Sequence, residues 1–297
     1  MEHHHDHRAE SRRALALALA ITAAFTVVEV VGGILTGSLA VLADAVHMLS
    51  DNAALVLALV AAWLAAKPAT PKRTYGYERA EVLAALANGV LLVALAIWIF
   101  VEAAMRLSDP PDVLGGWMLV IAVVGVGVNL AAAAVLWRAR TESLNVEAAF
   151  RHVGADLLGS IGIGVAAVVI LTTGWLAADP LVSFFIGGLV LLSAWGILRD
   201  TTSILLEASP KGIDTEAVGA RLAAAPGVVE VHDLHVWTIT SGFPALSAHV
   251  LVRPGEDCHA RRRELERLLR ENFGIAHTTL QVDHSGDGGL VAMSRFG

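Results

Sequence analysis

Hydrophobic and polar positions along the chain fall into two regimes. Through about residue 208, six apolar stretches each approach the roughly 20 residues that carry a helix across a bilayer. They lie at about Ala14–Leu35, Leu39–Ala66, Val82–Met105, Gly116–Trp137, Val146–Thr173 and Leu181–Leu198. Short polar breaks separate them: "TGS", "KPATPKRTYGYERAE", "RLSDPPDVLGG", "RARTESLN" and "GWLAADP". The first break is so tight that helices one and two are expected as an antiparallel pair. From about Ser209 the pattern becomes that of a water-soluble module. "DTEAVGARLAAAPG" predicts a helix with an Asp cap and a Gly stop. "VVEVHDLHVWTI" and "PALSAHVLV" predict strands joined by a "TSGF" turn. "DCHARRRELERLLRENFG" is an amphipathic helix and "HTTLQVD" a last strand. The order α-β-β-α-β implies a small open-faced α+β domain.

The expected organisation is a His-rich tail over residues 1–12, a membrane all-α six-helix transmembrane bundle over 13–208, the α+β domain over 209–284 and a flexible Gly-rich tail over 285–297. The opening "EHHHDH" is either a metal collector or an added tag, and too short to fold by itself. The N-terminus is polar, and the first apolar run is too long for a cleaved signal.

Composition agrees with the pattern. The chain of 297 residues is 56% hydrophobic and only 16% charged, against about a quarter charged in ordinary soluble domains. Its net charge of −7 argues against nucleic acid as a partner. The single cysteine, Cys258, excludes an intramolecular disulfide and any CxxC motif. Basic residues alternate between sides. Arg8, Arg12 and Arg13 precede helix one, Lys67, Lys72, Arg73 and Arg79 follow helix two, and Arg138 and Arg140 follow helix four. The opposite loops offer Arg106 with Asp109, Asp112 and Asp179. By the positive-inside rule, both termini are cytoplasmic and the chain is a multi-pass protein of the cell (inner) membrane.

The chemistry lies where charge is most costly. "LADAVHMLSDNAAL" sets Asp44, His47 and Asp51 inside the second apolar stretch, at roughly 2.5–3.5 kcal/mol for each ionised group at mid-membrane. His47 and Asp51 are spaced i, i+4, so they share one helix face, and "FRHVGADLLGS" repeats that spacing with His152 and Asp156. Asp51 lies sixteen residues from Lys67, and Asp156 sixteen from Arg140, or roughly 24 Å of helix in each case. Matched depth predicts that two imidazoles and two carboxylates converge. Such a set suits tetrahedral Zn²⁺, whose charge balances both carboxylates. It lacks the thiolates Cu(I) prefers and the oxygens Ca²⁺ and Mg²⁺ require, while Co²⁺ and Ni²⁺ stay open. A single His or Asp of this kind is as readily a hydrogen-bonded filler. Two matched pairs are not.

At these residues the chain resembles the cation diffusion facilitator family, in particular its zinc/cadmium-efflux branch. "EVVGGILTGSLAVLADAVHMLSDNAAL", "KRTYGYERAEVLAALANGVLL", "SLNVEAAFRHVGADLLGSIG" and "HDLHVW" carry the likeness, which covers nearly the whole chain. The resemblance implies a homodimer, a cytoplasmic domain of ferredoxin-like fold, and no enzymatic activity. It also implies a transport site at His47, Asp51, His152 and Asp156, with Asp44 and Ser160 beside it rather than in it. Zn²⁺ enters as transported substrate and as regulatory ligand, and protons are the counter-ion. Zn²⁺ and protons compete for the same atoms, because binding needs neutral His and ionised Asp. Alternating access would use that competition, with "VGG" (Val31–Gly33) and "GSIGIG" (Gly159–Gly164) permitting close helix contact. The family's cytoplasmic metal site carries over to His232, His249 and Asp283, with Gln281 where a further His is expected. Tyr75 and Tyr77 occupy the loop where some members bind another ion, so no such site is expected. A cobalt or nickel exporter, or a membrane metal sensor without transport, are the rival readings. An intramembrane zinc protease would need an HExxH motif, which the sequence lacks.

Overall fold

The computed structural model describes residues 3–139 and 144–286, with side chains described for 17–137, 150 and 152–286. Six long helices come first: α1 His3–Thr36, α2 Leu39–Ala65, α3 Ala80–Ser108, α4 Gly115–Ala139, α5 Leu144–Thr173 and α6 Ala178–Leu205. Each contains a span long and apolar enough to cross a membrane. The His-rich opening forms the first turns of α1 from His3 onward, and most of the expected C-terminal tail, 287–297, lies outside the described residues.

Two compact units divide the chain, residues 1–57 with 87–197, and 58–86 with 198–297. In the first, α4 packs on α1 and α5 around a core that includes Phe25, Met48, Leu92, Ile99, Met118, Ile163 and Ile186. The outer faces are apolar too. Leu35 and Leu192 are exposed by 70–72%, apolar surface that suits hydrocarbon rather than water. Trp117 and Trp137, near the two ends of α4, also face outward, as amphipathic rings do at membrane–water boundaries.

The second unit holds α7 Thr215–Ala223, β1 Val228–Thr240, β2 Phe243–Val252, α8 Cys258–Phe273 and β3 His277–His284. This is the α-β-β-α-β order the pattern predicts. β1 pairs antiparallel with β2, and β2 pairs parallel with β3, the parallel step being bridged by α8 as such crossovers require. Alternation places Leu246, Ala248, Val250 and Val252 on the core side of β2, against Leu265 and Leu269 of α8. Asp257 caps α8 by accepting from the amides of His259 and Ala260. Gly274, at φ 69°, ends it; its amide reaches Arg270 O and that of Ile275 reaches Leu269 O, the left-handed stop that glycine adopts without strain. One irregularity escapes the sequence pattern. β1 bulges between His232 and His235, with Asp233 at φ 52°.

Candidate metal centre

The site is built on α2 and α5. Neither helix needs polar residues to form. The apolar residues around His47, Asp51, His152 and Asp156 make the helices, and the i, i+4 spacing turns each His and its Asp to one side. His47 Nε2 lies 3.6 Å from Asp51 Oδ2 and 3.8 Å from Asp156 Oδ1. His152 Nε2 lies 3.1 Å from Asp51 Oδ2 and 3.7 Å from Asp156 Oδ2. The two imidazoles meet edge to face at 5.8 Å between ring centres. His47, His152 and Asp156 each offer a ligand atom within 4.8 Å of the others, and Asp51 approaches both imidazoles.

These separations have a meaning. Metal bonds of 2.0–2.2 Å in a tetrahedron give ligand-to-ligand edges of about 3.3–3.6 Å, and the four N–O separations bracket that range. Hydrogen bonding does not account for the cluster. Asp156 Oδ1 and His47 Nδ1 are buried without a hydrogen-bond partner, and a buried carboxylate oxygen without a donor is costly. A cation among the four groups would satisfy the Asp156 oxygen and balance both carboxylates.

Access is from one end. A cavity of ≈ 400 Å³ reaches the cluster between Ala18 and Thr22 of α1, Asn52 and Leu55 of α2, Leu136 of α4 and Val153 of α5. Leu55, Leu136 and Val153 lie toward the ends of α2, α4 and α5 that adjoin the basic loops, and Ala18, Thr22 and Asn52 lie near mid-helix. Beyond the cluster the interior is closed. Phe25, Glu29, Asp44, Asn129 and Ser160 are buried there, and Asn129 Nδ2 donates to Ser160 Oγ at 3.1 Å. Gly159 leaves the room that Asp44 occupies; a Cβ at that position would stand 3.1 Å from Asp44 Oδ1. Two buried carboxylates here escape the sequence pattern. Glu29 meets Asp44 side chain to side chain, and its only signal is an acidic residue inside an apolar stretch. Asp179 reaches the start of α2, and its position just before Pro180 reads as an ordinary helix start.

The cytoplasmic residues make a row rather than a cage. His232 faces His249 across β1 and β2, and His249 faces Gln281 across β2 and β3. The two imidazoles stack at 5.4 Å. Asp283, two residues further along β3, accepts from Gln281 Nε2 at 2.8 Å. Among the described residues, His232, His249 and Asp283 do not bring three ligand atoms within 4.8 Å. Asp233, at the bulge, stands 3.5 Å from His249 Nε2 and 2.9 Å from His235 Nε2. In the loop before α3, the Arg73 guanidinium lies over the Tyr77 ring at 4.4 Å, and Tyr75 meets His277 edge to face.

Comparison with known proteins gives this arrangement its family. Residues 15–206 match the model of the cation efflux transmembrane domain, and 210–285 that of the cation efflux protein cytoplasmic domain. The chain is a cation diffusion facilitator. Among the relatives of this cation efflux protein, the metal cation efflux system protein CzcD of Cupriavidus metallidurans is 42% identical over 95% of this chain and 89% of its own. The cadmium, cobalt and zinc/H(+)-K(+) antiporter of Bacillus subtilis is 38% identical over 100% and 97%. Zinc transporter ZitB of Escherichia coli is 41% identical over 96% and 93%. The family moves metal ions across membranes and catalyses no reaction, and six membrane helices followed by a cytoplasmic α+β domain are its architecture.

Proposed function

We propose that this facilitator exports Zn²⁺ from the cytoplasm in exchange for protons, and that His47, Asp51, His152 and Asp156 hold the ion in transit. The observation that carries the reading is the set of four N–O separations of 3.1–3.8 Å, two within α2 and α5 and two between them, close to the ligand spacing that Zn²⁺ requires. Relatives named for zinc, cadmium and cobalt support the metal class. The charge pattern of the loops supports cytoplasmic termini; in that orientation the cavity opens toward the cytoplasm and the ion enters there.

Each residue has a task. The carboxylates of Asp51 and Asp156 supply the charge that draws a dication out of water. The imidazoles of His47 and His152 complete the shell without adding negative charge. Release follows from competition, because an imidazole or carboxylate that takes a proton no longer binds the metal. Exporting a dication against a negative-inside potential costs about 4.6 kcal/mol per 100 mV, which inward protons offset. The cytoplasmic domain joins two copies of the chain, and its His232–His249 pair with Asp283 supplies a regulatory metal position once Asp283 leaves Gln281.

Everted vesicles test this directly. Wild-type protein takes up Zn²⁺ with release of lumenal protons, read by a metal dye and a pH dye, and Cd²⁺ and Co²⁺ compete. Asp51→Ala and Asp156→Ala abolish uptake while each still elutes as a dimer. Normal zinc uptake in either variant removes the site.

A further inference from the structure

The start of α2 is satisfied from outside its own chain segment. A helix begins with four amides that have no partner in the helix. At the start of α2, Ser38 N donates to Thr36 Oγ1 at 3.4 Å and Val41 N to Ser38 Oγ at 3.2 Å. The other two amides go to α6. Leu39 N donates to Asp179 Oδ2 at 2.8 Å and Ala40 N to Asp179 Oδ1 at 3.2 Å. The Ser38 hydroxyl donates to the same Oδ1 at 2.5 Å. Asp179 and Ser38 are buried, each at most 1% exposed. One carboxylate thus caps α2 across more than a hundred residues of sequence, while lying in the first turn of its own helix α6. Two positive helix ends point at one negative group, a favourable arrangement.

This contact closes a mechanical loop. α5 ends at Thr173 and α6 starts at Ala178, so a link of four residues ties the end of α5 to Asp179, and Asp179 ties that link to α2. The two ligand-bearing helices are therefore joined at the end remote from the cavity and separated by the cavity at the other end. His47 lies nine residues from Ser38, or roughly 14 Å along α2.

Resting on the assignment of the four ligands above, we propose that Asp179 is a positioning residue for metal binding. It is the fulcrum that sets the axial position and rotation of α2 against α5, and through them the approach of His47 and Asp51 to His152 and Asp156. It does not touch the ion. Losing it frees α2 to slide and turn about its axis, so the tetrahedron loosens while the helices remain.

Co²⁺ is the probe, because a tetrahedral N/O set gives it visible absorption far stronger than that of looser, six-coordinate water-rich sites. The full-length dimer in detergent is titrated with Co²⁺, and the absorption that His47→Ala removes is the signal of the membrane site. Asp179→Ala diminishes that signal and weakens Zn²⁺ binding there about tenfold, the equivalent of ~1.4 kcal/mol and within the range for losing a helix cap. Asp179→Asn retains acceptance from one amide and recovers part of both readouts. Ser38→Ala gives a smaller loss in the same direction, and its effect is absent in the Asp179→Asn background. If Asp179→Ala yields no folded dimer, the Asp179→Asn and Ser38→Ala pair decides. A His47-dependent band that is unchanged in spectrum and affinity in these variants overturns the fulcrum. A band that persists in His47→Ala overturns instead the ligand assignment it rests on.

Discussion

Replacing Gly33 by alanine tests whether the closeness of α1 and α2 sets the geometry of the metal centre. A Cβ at Gly33 would stand 2.8 Å from Leu42 Cγ, 3.0 Å from Leu42 N and 3.2 Å from Leu42 Cα. Two of these neighbours are backbone, so no side-chain rotation relieves the contact. Ordinary carbon contacts begin near 3.5 Å, so α2 recedes at Leu42 by several tenths of an ångström. His47 is five residues along the same helix and moves with it. Sites of this kind hold their function only within about 0.5 Å of the productive arrangement, so the separations across the helices, 3.8 Å from His47 to Asp156 and 3.1 Å from Asp51 to His152, leave their range. Overpacking of this kind costs about 1–3 kcal/mol, and a share of that expressed in metal binding weakens Zn²⁺ affinity roughly tenfold or more. Zinc uptake by everted vesicles is the assay, with Zn²⁺ affinity of the purified dimer measured by chelator competition. Gly127→Ala on α4 is the control, since its Cβ would meet nothing within 4 Å, and it transports normally. Wild-type uptake and affinity in Gly33→Ala would show that α1–α2 closeness has no hold on the site.

Three further outcomes are expected. Zn²⁺ binding releases protons and weakens as pH falls, because imidazole and carboxylate must be deprotonated to bind; titration in buffers of different ionisation enthalpy counts the protons. Gln281→His adds an imidazole beside His249 and Asp283, and so raises the affinity of the cytoplasmic domain for Zn²⁺, measured by equilibrium dialysis of full-length protein carrying His47→Ala. Asp257→Ala lowers the melting temperature of the cytoplasmic domain followed by circular dichroism. The amides of Ala260 and His259, with Arg263 nearby, hold the Asp257 carboxyl below its usual value. That contribution is therefore present at neutral pH and lost as pH falls through the depressed value.

The sequence shows most of this architecture because the bilayer imposes it. Twenty apolar residues between polar breaks leave few alternatives, and the paired i, i+4 His and Asp of helices two and five announce their shared face. In the C-terminal domain, alternation places Leu246, Ala248, Val250 and Val252 on the core side without a structure. What stays hidden depends on distant partners. Asp179 caps a helix from which a hundred and forty residues separate it, and Glu29 meets Asp44 only after α1 and α2 fold back. The bulge at Asp233 is invisible because nothing in the alternation of "VVEVHDLHVW" marks a non-glycine residue at positive φ. The row formed by His232, His249 and Gln281 follows from strand register, which pattern alone leaves open by two residues.

The tryptophans of α4 carry a consequence for the surroundings the protein works in. Trp117 and Trp137 stand twenty residues apart, roughly 30 Å along the helix, which equals the hydrocarbon depth of a typical bilayer. With a boundary-seeking ring at each end, α4 acts as a gauge, and α5 rides on it. In lipids with longer or shorter acyl chains, the gauge must tilt or the bilayer must deform. Turnover in reconstituted vesicles should then peak at intermediate chain length and decline on both sides, making host lipid composition a determinant of how fast the cell clears its metal.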